Sequence, residues 1–119
     1  MARNRQFEGA KQVARAIELL QGKGMIEVLY AMRDGPIRLG QLRRIVPDAS
    51  KKALTARLRL LQNANIVVRN DFSSSLLHVE YELSPQMRQP VASLLSFLIE
   101  WSSSLPTNVT GQDTGSKFL

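Results

Sequence analysis

Closely spaced basic side chains are the residues of this sequence best suited to chemistry, and the chemistry they suit is the binding of a polyanion. Half of the 16 Lys and Arg residues, but one of the 10 Asp and Glu residues, fall between positions 36 and 69. The net charge of +6 is therefore concentrated in that segment. A basic face serving only solubility would spread its charges more evenly, so the pattern favours a surface for nucleic acid.

Helical periodicity sorts the stretch "DASKKALTARLRLLQ", residues 48–62, into two sides. At 3.6 residues per turn, a narrow stripe typical of a core-facing surface is formed by Leu54, Leu58 and Leu61. The opposite flank, which we call the reading face, consists of Lys51, Lys52, Thr55 and Arg59. Ser50 is well suited to cap this helix. Arg57 falls at the shoulder of the buried stripe, where its role is open between structural and binding.

The elements before this stretch are helical. Apolar residues at helical spacing predict a helix over 8–21, which Gly22 and Gly24 interrupt, and a second helix that starts at Met25. The turn sequence "DGP" is followed by a short extended piece and a two-turn helix that Pro47 stops. In that helix, the side chains expected to be buried are Leu39, Leu42, Ile45 and Val46.

A β-hairpin, the wing, is predicted over residues 66–83, with the polar tip "FSSS" between its strands. The second strand, "LLHVEYEL", alternates as a half-buried strand does, and the side chains expected to face inward are Leu77, Val79, Tyr81 and Leu83. Ser84 followed by Pro85 then indicates the cap and first turn of a final helix.

The final helix is apolar almost all round, which predicts that something covers more than one of its sides. In a small domain the simplest cover is a second copy of the chain, although a central core helix would show the same pattern. The residues expected in this dimer interface are Val13, Ile17, Leu20, Val91, Leu94, Leu98 and Trp101.

Composition excludes several other classes of function. The chain has no cysteine, so disulfides and thiolate chemistry are excluded. His78, the single histidine, has no partner set for a metal or a catalytic triad, so we expect a non-enzymatic protein without cofactors. No apolar run is long enough to span a bilayer, and the first residues lack a signal-peptide pattern, so a cytoplasmic location without membrane contact is expected.

The order of elements is the plan of a winged helix-turn-helix, a mainly α fold with a small β-hairpin (α+β). In that plan the helix over 50–64 enters the major groove of duplex DNA, and the wing lies on the backbone or in the minor groove. Ser50 and Ser74 would lie close to the DNA. The basic residues expected to contact phosphates are Arg43, Arg44 and Arg69, and Arg38 is a further expected DNA contact. We expect a basic arm over 1–7, the domain over 8–105 and a flexible tail over 106–119.

The run "GPIRLGQLRRIVPDASKKALTARLRLLQNANIVVRN", followed by "VEYELS" and an apolar helix ending "IEW", resembles the HxlR family of winged-helix transcriptional regulators, relatives of the MarR group. The resemblance covers about residues 13–101 and implies a homodimer, joined through its first and last helices, on a palindromic operator. It implies repression or activation of neighbouring genes, and we expect a repressor. The residues that it places in the recognition helix are Ser50, Lys52, Thr55 and Arg57.

The sequence departs from the family at several positions. The N-terminal cysteine through which many members sense oxidants is absent, which excludes thiol sensing and leaves any small-molecule effector unassigned. Gly24 stands where an aromatic residue usually opens the second helix, and Gln41 and Leu60 replace residues that are typically acidic. An alternative function that these data leave open is a winged-helix module that binds a protein partner and has no operator of its own.

Overall fold

The computed structural model describes the backbone of residues 2–109 and the side chains of residues 7–108. The chain divides into two compact units, with the boundary between Arg88 and Gln89. The helices are α1 Ala2–Leu20, α2 Met25–Met32, α3 Leu39–Ile45, α4 Lys51–Asn63 and α5 Pro85–Ser102. The wing strands are β1 Val67–Asp71 and β2 Val79–Leu83, and a single 3-10 turn covers Thr107–Val109. This order of elements is the predicted winged helix-turn-helix plan.

The first helix is longer than the sequence pattern predicts. α1 begins at Ala2 rather than at residue 8, so the backbone of the predicted arm continues the first helix. The side chains of Arg3 and Arg5, which that arm was expected to present, lie outside the described residues. So does the part of the predicted tail that follows Val109.

The core of the first unit lies between the three helices α2, α3 and α4 and the wing. Its most deeply buried side chains come from the three helices at the predicted spacing: Met25, Val28, Met32, Leu42, Leu54, Leu58 and Leu61. The expectation that Ile45 is buried is wrong, because this side chain is 48% exposed. α3 has only two turns, and Leu42 and Val46 share the inward side, which leaves Ile45 on the shoulder.

The wing is a two-stranded antiparallel sheet in which Val67 pairs with Leu83 and Asp71 pairs with Val79. The extended piece before α3 adds one further bridge, because Ile37 and Tyr81 exchange two backbone hydrogen bonds of 2.8 Å. This bridge fixes the base of the wing beside the start of α3.

The second wing strand is shorter than predicted. Ladder pairing stops at Val79, and Leu76 and Leu77 lie in the tip, each 80% exposed, so the expectation that Leu77 faces inward is wrong. The physical reason is local, since the hydroxyl oxygen of Ser73 accepts a hydrogen bond from the His78 amide at 2.9 Å. This side chain takes the place of a strand partner and closes the tip.

The link between α4 and α5 depends on Asn65, which has a left-handed backbone with φ of 61°. Its carbonyl accepts a hydrogen bond of 2.8 Å from the Ser84 hydroxyl. Ser84 was expected to cap α5, and it does immediately precede that helix, but this buried hydroxyl points back to the end of α4. The segment that follows α4 and the residue that precedes α5 are thus joined directly.

Candidate nucleic-acid interface

α4 is held in place by its cap and by its apolar stripe. The Ser50 hydroxyl oxygen accepts a hydrogen bond from the Ala53 amide at 3.0 Å, which satisfies one of the free donors of the first turn. Leu54, Leu58 and Leu61 are at most 1% exposed. Because this stripe is fully buried, the other side of α4 is turned to solvent.

The reading face lies on that solvent side, as its periodicity predicts. Lys51, Lys52 and Arg59 are exposed, and no hydrogen bond or ion pair of their side chains is found among the described residues. Thr55 is half-buried, and its hydroxyl donates to the Lys51 carbonyl at 2.8 Å. Since this donation uses the hydroxyl proton, Thr55 can offer an approaching group its methyl group and its oxygen lone pairs.

Arg57 points away from the reading face. Its Nε donates a hydrogen bond of 2.9 Å to the carbonyl of Lys23, in the turn between α1 and α2. The side chain is half-buried, and its Nε would lie 3.8 Å from a Cβ added at Gly22. The contact fastens α4 to this turn, a structural role that matches the shoulder position on the helical wheel.

A second group of bases lies beside the N-terminus of α4, in what we call the cationic concavity. This open depression of about 390 Å³ is lined by four basic residues, Arg38, Arg43, Lys51 and Arg69. Apolar residues of the wing and α3, including Leu77 and Val79, complete its lining. The structure therefore brings together bases from α3, α4 and β1 that are separated by up to 31 positions in the sequence.

The arginines of the cationic concavity are positioned differently. Arg38 donates from Nη2 to the Leu77 carbonyl at 3.1 Å, which ties the start of α3 to the wing tip. Gln41 caps α3, since its side-chain oxygen accepts from the Arg38 amide at 2.9 Å. Arg69 lies 3.9 Å from Asp71, an exposed pair of small energetic weight. Arg43 forms no ion pair in the described part of the chain.

The two predicted contacts Arg44 and Ser74 lie outside this depression. Arg44 is exposed on the last turn of α3, and Ser74 is exposed at the wing tip. His78, to which the sequence assigns no metal or catalytic partner set, is half-buried and lies 2.8 Å from Glu80.

The order of the wing tip was missed by the sequence patterns. Hydrogen bonds from the Ser73 hydroxyl and amide hold the pKa of the Asp71 carboxyl below its ordinary value. The hydrogen bond from the Ser73 amide to Oδ1 of Asp71 is 2.9 Å long. Nearby, the Phe72 amide donates to the His78 carbonyl at 2.7 Å. An Asp two residues before a Ser is the signal that could have indicated this turn.

Two negative findings apply to the described part of the chain. Residues 2–109 contain no cluster of three or more His, Cys, Asp or Glu side chains that could hold a metal ion. No helix among them has the length and apolar character needed to cross a membrane.

The helices and wing of the first unit define a winged helix-turn-helix domain, the class in which a helix such as α4 carries the nucleic-acid-binding residues. The chain belongs to the HxlR-like helix-turn-helix family, whose sequence model matches residues 19–109. It is accordingly a DNA-binding transcriptional regulator by family.

The relatives agree with this assignment. An uncharacterised HTH-type transcriptional regulator of Synechocystis, sll1512, is 37% identical over 81 residues, which are 66% of this chain and 60% of the relative. YkvN of Bacillus subtilis, described in the same words, is 32% identical over 84 residues, covering 71% of this chain and 70% of the relative.

Solved structures show the same fold. A MarR-family regulator from Enterococcus faecalis superposes with a TM-score of 0.71 at 26% identity, over 80% of this chain and 86% of the other. The reduced form of the redox regulator HypR gives a TM-score of 0.68 at 30% identity, over 78% and 91%. The present sequence has no cysteine, so redox sensing through a thiol does not extend to it.

Proposed function

We propose that this protein binds duplex DNA in a sequence-specific manner as a homodimer, on a palindromic operator. The observation that carries the proposal is a set of lysine and arginine side chains without acidic partners, at the N-terminal end and on the solvent side of α4. Lys51, Lys52 and Arg59 have no acidic partner among the described residues, although pairing would be easy at an exposed surface. A surface that keeps its positive charge unpaired is suited to the phosphates and base edges of DNA.

The bases divide into two groups in this proposal. α4 lies in the major groove, where Lys52 and Arg59 contact base edges and Thr55 completes the reading face. Lys51 belongs to both groups, because it lies in the first turn of α4 and also lines the cationic concavity. The cationic concavity contacts phosphates, and the exposed Arg44 and the first amides of α4 near Ser50 add to the same contact. Arg57 is assigned a structural role, because its hydrogen bond to Lys23 commits its Nε to the turn between α1 and α2.

The homodimer is supported by exposed apolar side chains on two helices. On α1, Val13 and Ile17 are 62% and 48% exposed, and on α5, Leu94 and Trp101 are 38% and 62% exposed. We infer that each of these helices contributes to a contact with a second copy. Of the other predicted interface residues, Leu20 and Leu98 are half-buried, whereas Val91 is only 7% exposed and has little surface to offer.

We further infer that the dimer acts as a repressor in the cytoplasm, where its operator lies. A dimer bound across a promoter blocks access of the polymerase without any additional contact. The test is a reporter gene placed behind the operator that the protein selects from a random pool of duplexes. Its expression should rise when the protein is removed, and a fall would identify an activator.

The DNA-binding proposal is tested by titration against duplex DNA at increasing salt. Each phosphate neutralised contributes about −0.9 to the slope of log affinity against log salt, so a steep negative slope is expected. Selection of duplexes from a random pool should return a palindrome with half-sites about one helical turn apart. A flat slope together with no enriched sequence would contradict DNA binding and favour a protein-binding module.

Substitutions distinguish the basic residues that contact base edges from those that contact phosphates. Lys52→Ala or Arg59→Ala should reduce discrimination between the selected sequence and a scrambled one by about 1 to 3 kcal/mol. Arg69→Ala should weaken both duplexes equally and reduce the salt slope by about 1. Equal losses on both duplexes for all three variants would contradict the assignment of readers.

A further inference from the structure

The wing tip carries two exposed apolar side chains, Leu76 and Leu77, within a mainly polar stretch of sequence. Leu76 and Leu77 are each 80% exposed, the highest exposure of any large apolar side chain among the described residues. Phe72, on the other side of the tip, is 55% exposed. Three apolar side chains within six residues at the end of a hairpin form a surface that is costly to leave in water, so a binding role is indicated.

This tip is fixed before any partner arrives. Phe72 and His78 are joined by a backbone hydrogen bond of 2.7 Å, and their rings meet edge to face with centroids 5.4 Å apart. Ser73 accepts from the His78 amide and donates its own amide to Asp71, both at 2.9 Å. Because the turn is closed from both strands, the leucine side chains project from a defined loop and little ordering entropy is lost on binding.

The charges next to the apolar pair determine the kind of partner. Leu77 lines the cationic concavity together with Arg38, Arg43, Lys51 and Arg69, and its own carbonyl holds the Arg38 guanidinium at 3.1 Å. A partner that touches Leu77 therefore lies beside a depression lined by four positive charges. The minor groove of duplex DNA meets both demands, since two rows of phosphates flank a narrow groove walled by apolar sugar rings.

We propose that the wing tip inserts Leu76 and Leu77 into the minor groove beside the α4 contact and partly unstacks one base step there. Apolar side chains used in this way bend the duplex and offset the unstacking cost by burying more protein surface. The phosphates that border the opened step lie over the cationic concavity. The inference rests on the proposed function, and it adds a deformation of the DNA to the contacts assigned above.

The test uses the full chain and duplexes with the selected half-sites, in which the fluorescent base 2-aminopurine replaces one adenine at a time in the flanking steps. Unstacking of this base raises its fluorescence. The wild-type protein should raise the signal at one symmetrically placed pair of steps. Leu76→Ser combined with Leu77→Ser should abolish the rise and weaken binding about tenfold, with an unchanged salt slope because no charge is removed.

Leu76→Met combined with Leu77→Met is the matched control. Methionine keeps an apolar side chain of similar volume, so the control should retain the fluorescence rise and most of the affinity. Both pairs of substitutions affect exposed side chains, and their folding can be checked by thermal unfolding.

The outcomes separate the wedge from DNA binding itself. A wild-type protein that binds with a steep salt slope but raises the signal at no flanking step would overturn the wedge and leave the proposed function standing. A serine variant that matches the wild type on DNA, or that instead loses dimerisation in sedimentation, would overturn it as well. Absence of duplex binding by the wild type would overturn both.

Discussion

Arg57 and Arg59 lie two positions apart on α4 and have opposite surroundings. Arg57 donates from Nε to the Lys23 carbonyl at 2.9 Å, whereas the side chain of Arg59 is exposed and has no hydrogen bond or ion pair within residues 7–108. Helical spacing placed Arg57 at the edge of the core, and family resemblance placed it on DNA. In the structure the Arg57 Nε is bonded to a carbonyl in the turn between α1 and α2, as a position at the edge of the core allows.

This contrast predicts different effects of the two substitutions on stability. Arg57→Ala should lower the free energy of unfolding by about 1 kcal/mol, the value of a charged hydrogen bond discounted for partial exposure. Arg59→Ala should change it by less than about 0.5 kcal/mol. Urea denaturation of both variants measures the difference, and equal stabilities would show that the bond to Lys23 contributes nothing.

Asp71 gives the wing tip a dependence on pH. Because hydrogen bonds from Ser73 lower its pKa in the folded protein, the carboxylate stabilises the tip fully above the unfolded pKa of about 3.9. That contribution is lost as the pH falls through the lower, folded value. NMR titration should therefore show a midpoint for Asp71 below about 3.9 that rises in Ser73→Ala. Ser74→Ala, one residue further on, should leave the midpoint in place.

At the scale of elements, the start of α2 depends on a backbone that glycine adopts readily. Gly24 precedes α2 with φ of 78°, and a Cβ added there would lie 3.2 Å from Cγ1 of Val46. Gly24→Ala should lower the free energy of unfolding by about 1 to 2 kcal/mol, because a left-handed alanine is strained and Val46 must shift.

Gly40 provides the matched control for this substitution. It lies in α3, and a Cβ added there meets nothing within 4 Å. Gly40→Ala should raise the free energy of unfolding by about 0.5 kcal/mol, because alanine loses less backbone freedom in a helix. Thermal unfolding of the two variants checks the opposite signs, and a stabilising effect of Gly24→Ala would refute the argument.

The order of elements and the reading face could be predicted because each depends on local periodicity or on turn residues. The three buried leucines of α4 define the face opposite them, and the sequence shows that directly. The wing tip could not be predicted, because "LLHVEYEL" has strand periodicity throughout and a serine hydroxyl ends the ladder early. The cationic concavity could not be predicted either, because it depends on the packing of α3 beside the wing.

At the scale of the whole molecule, the basic residues assigned to DNA and the apolar residues assigned to the dimer belong to different elements. The exposed bases concentrate around α3, α4 and the wing, and the large exposed apolar side chains outside that region belong mainly to α1 and α5. Association of two chains should therefore depend little on salt, whereas DNA binding should depend on it strongly.

Charges placed on the apolar helices should separate the two chains. Ile17→Glu on α1, or Trp101→Glu on α5, should raise the dimer dissociation constant at least about 100-fold, because a carboxylate would be buried without a partner. Leu60→Glu replaces a leucine that is 46% exposed on α4 and should leave the dimer intact. Sedimentation equilibrium measures all three, and a wild-type chain that is monomeric at micromolar concentration would contradict the dimer.

The hydrogen bond from Arg57 to Lys23 also limits which residues can be exchanged when DNA specificity is transferred between related regulators. The side chains that hold α4 in place are Ser50, Leu54, Arg57, Leu58 and Leu61. A graft that replaces only Lys51, Lys52, Thr55 and Arg59 leaves each of those supports intact. Transfer of the entire helix from a relative keeps the hydrogen bond to Lys23 only where the donor also has arginine at the position of Arg57. A donor with another residue there would have to supply the turn between α1 and α2 as well.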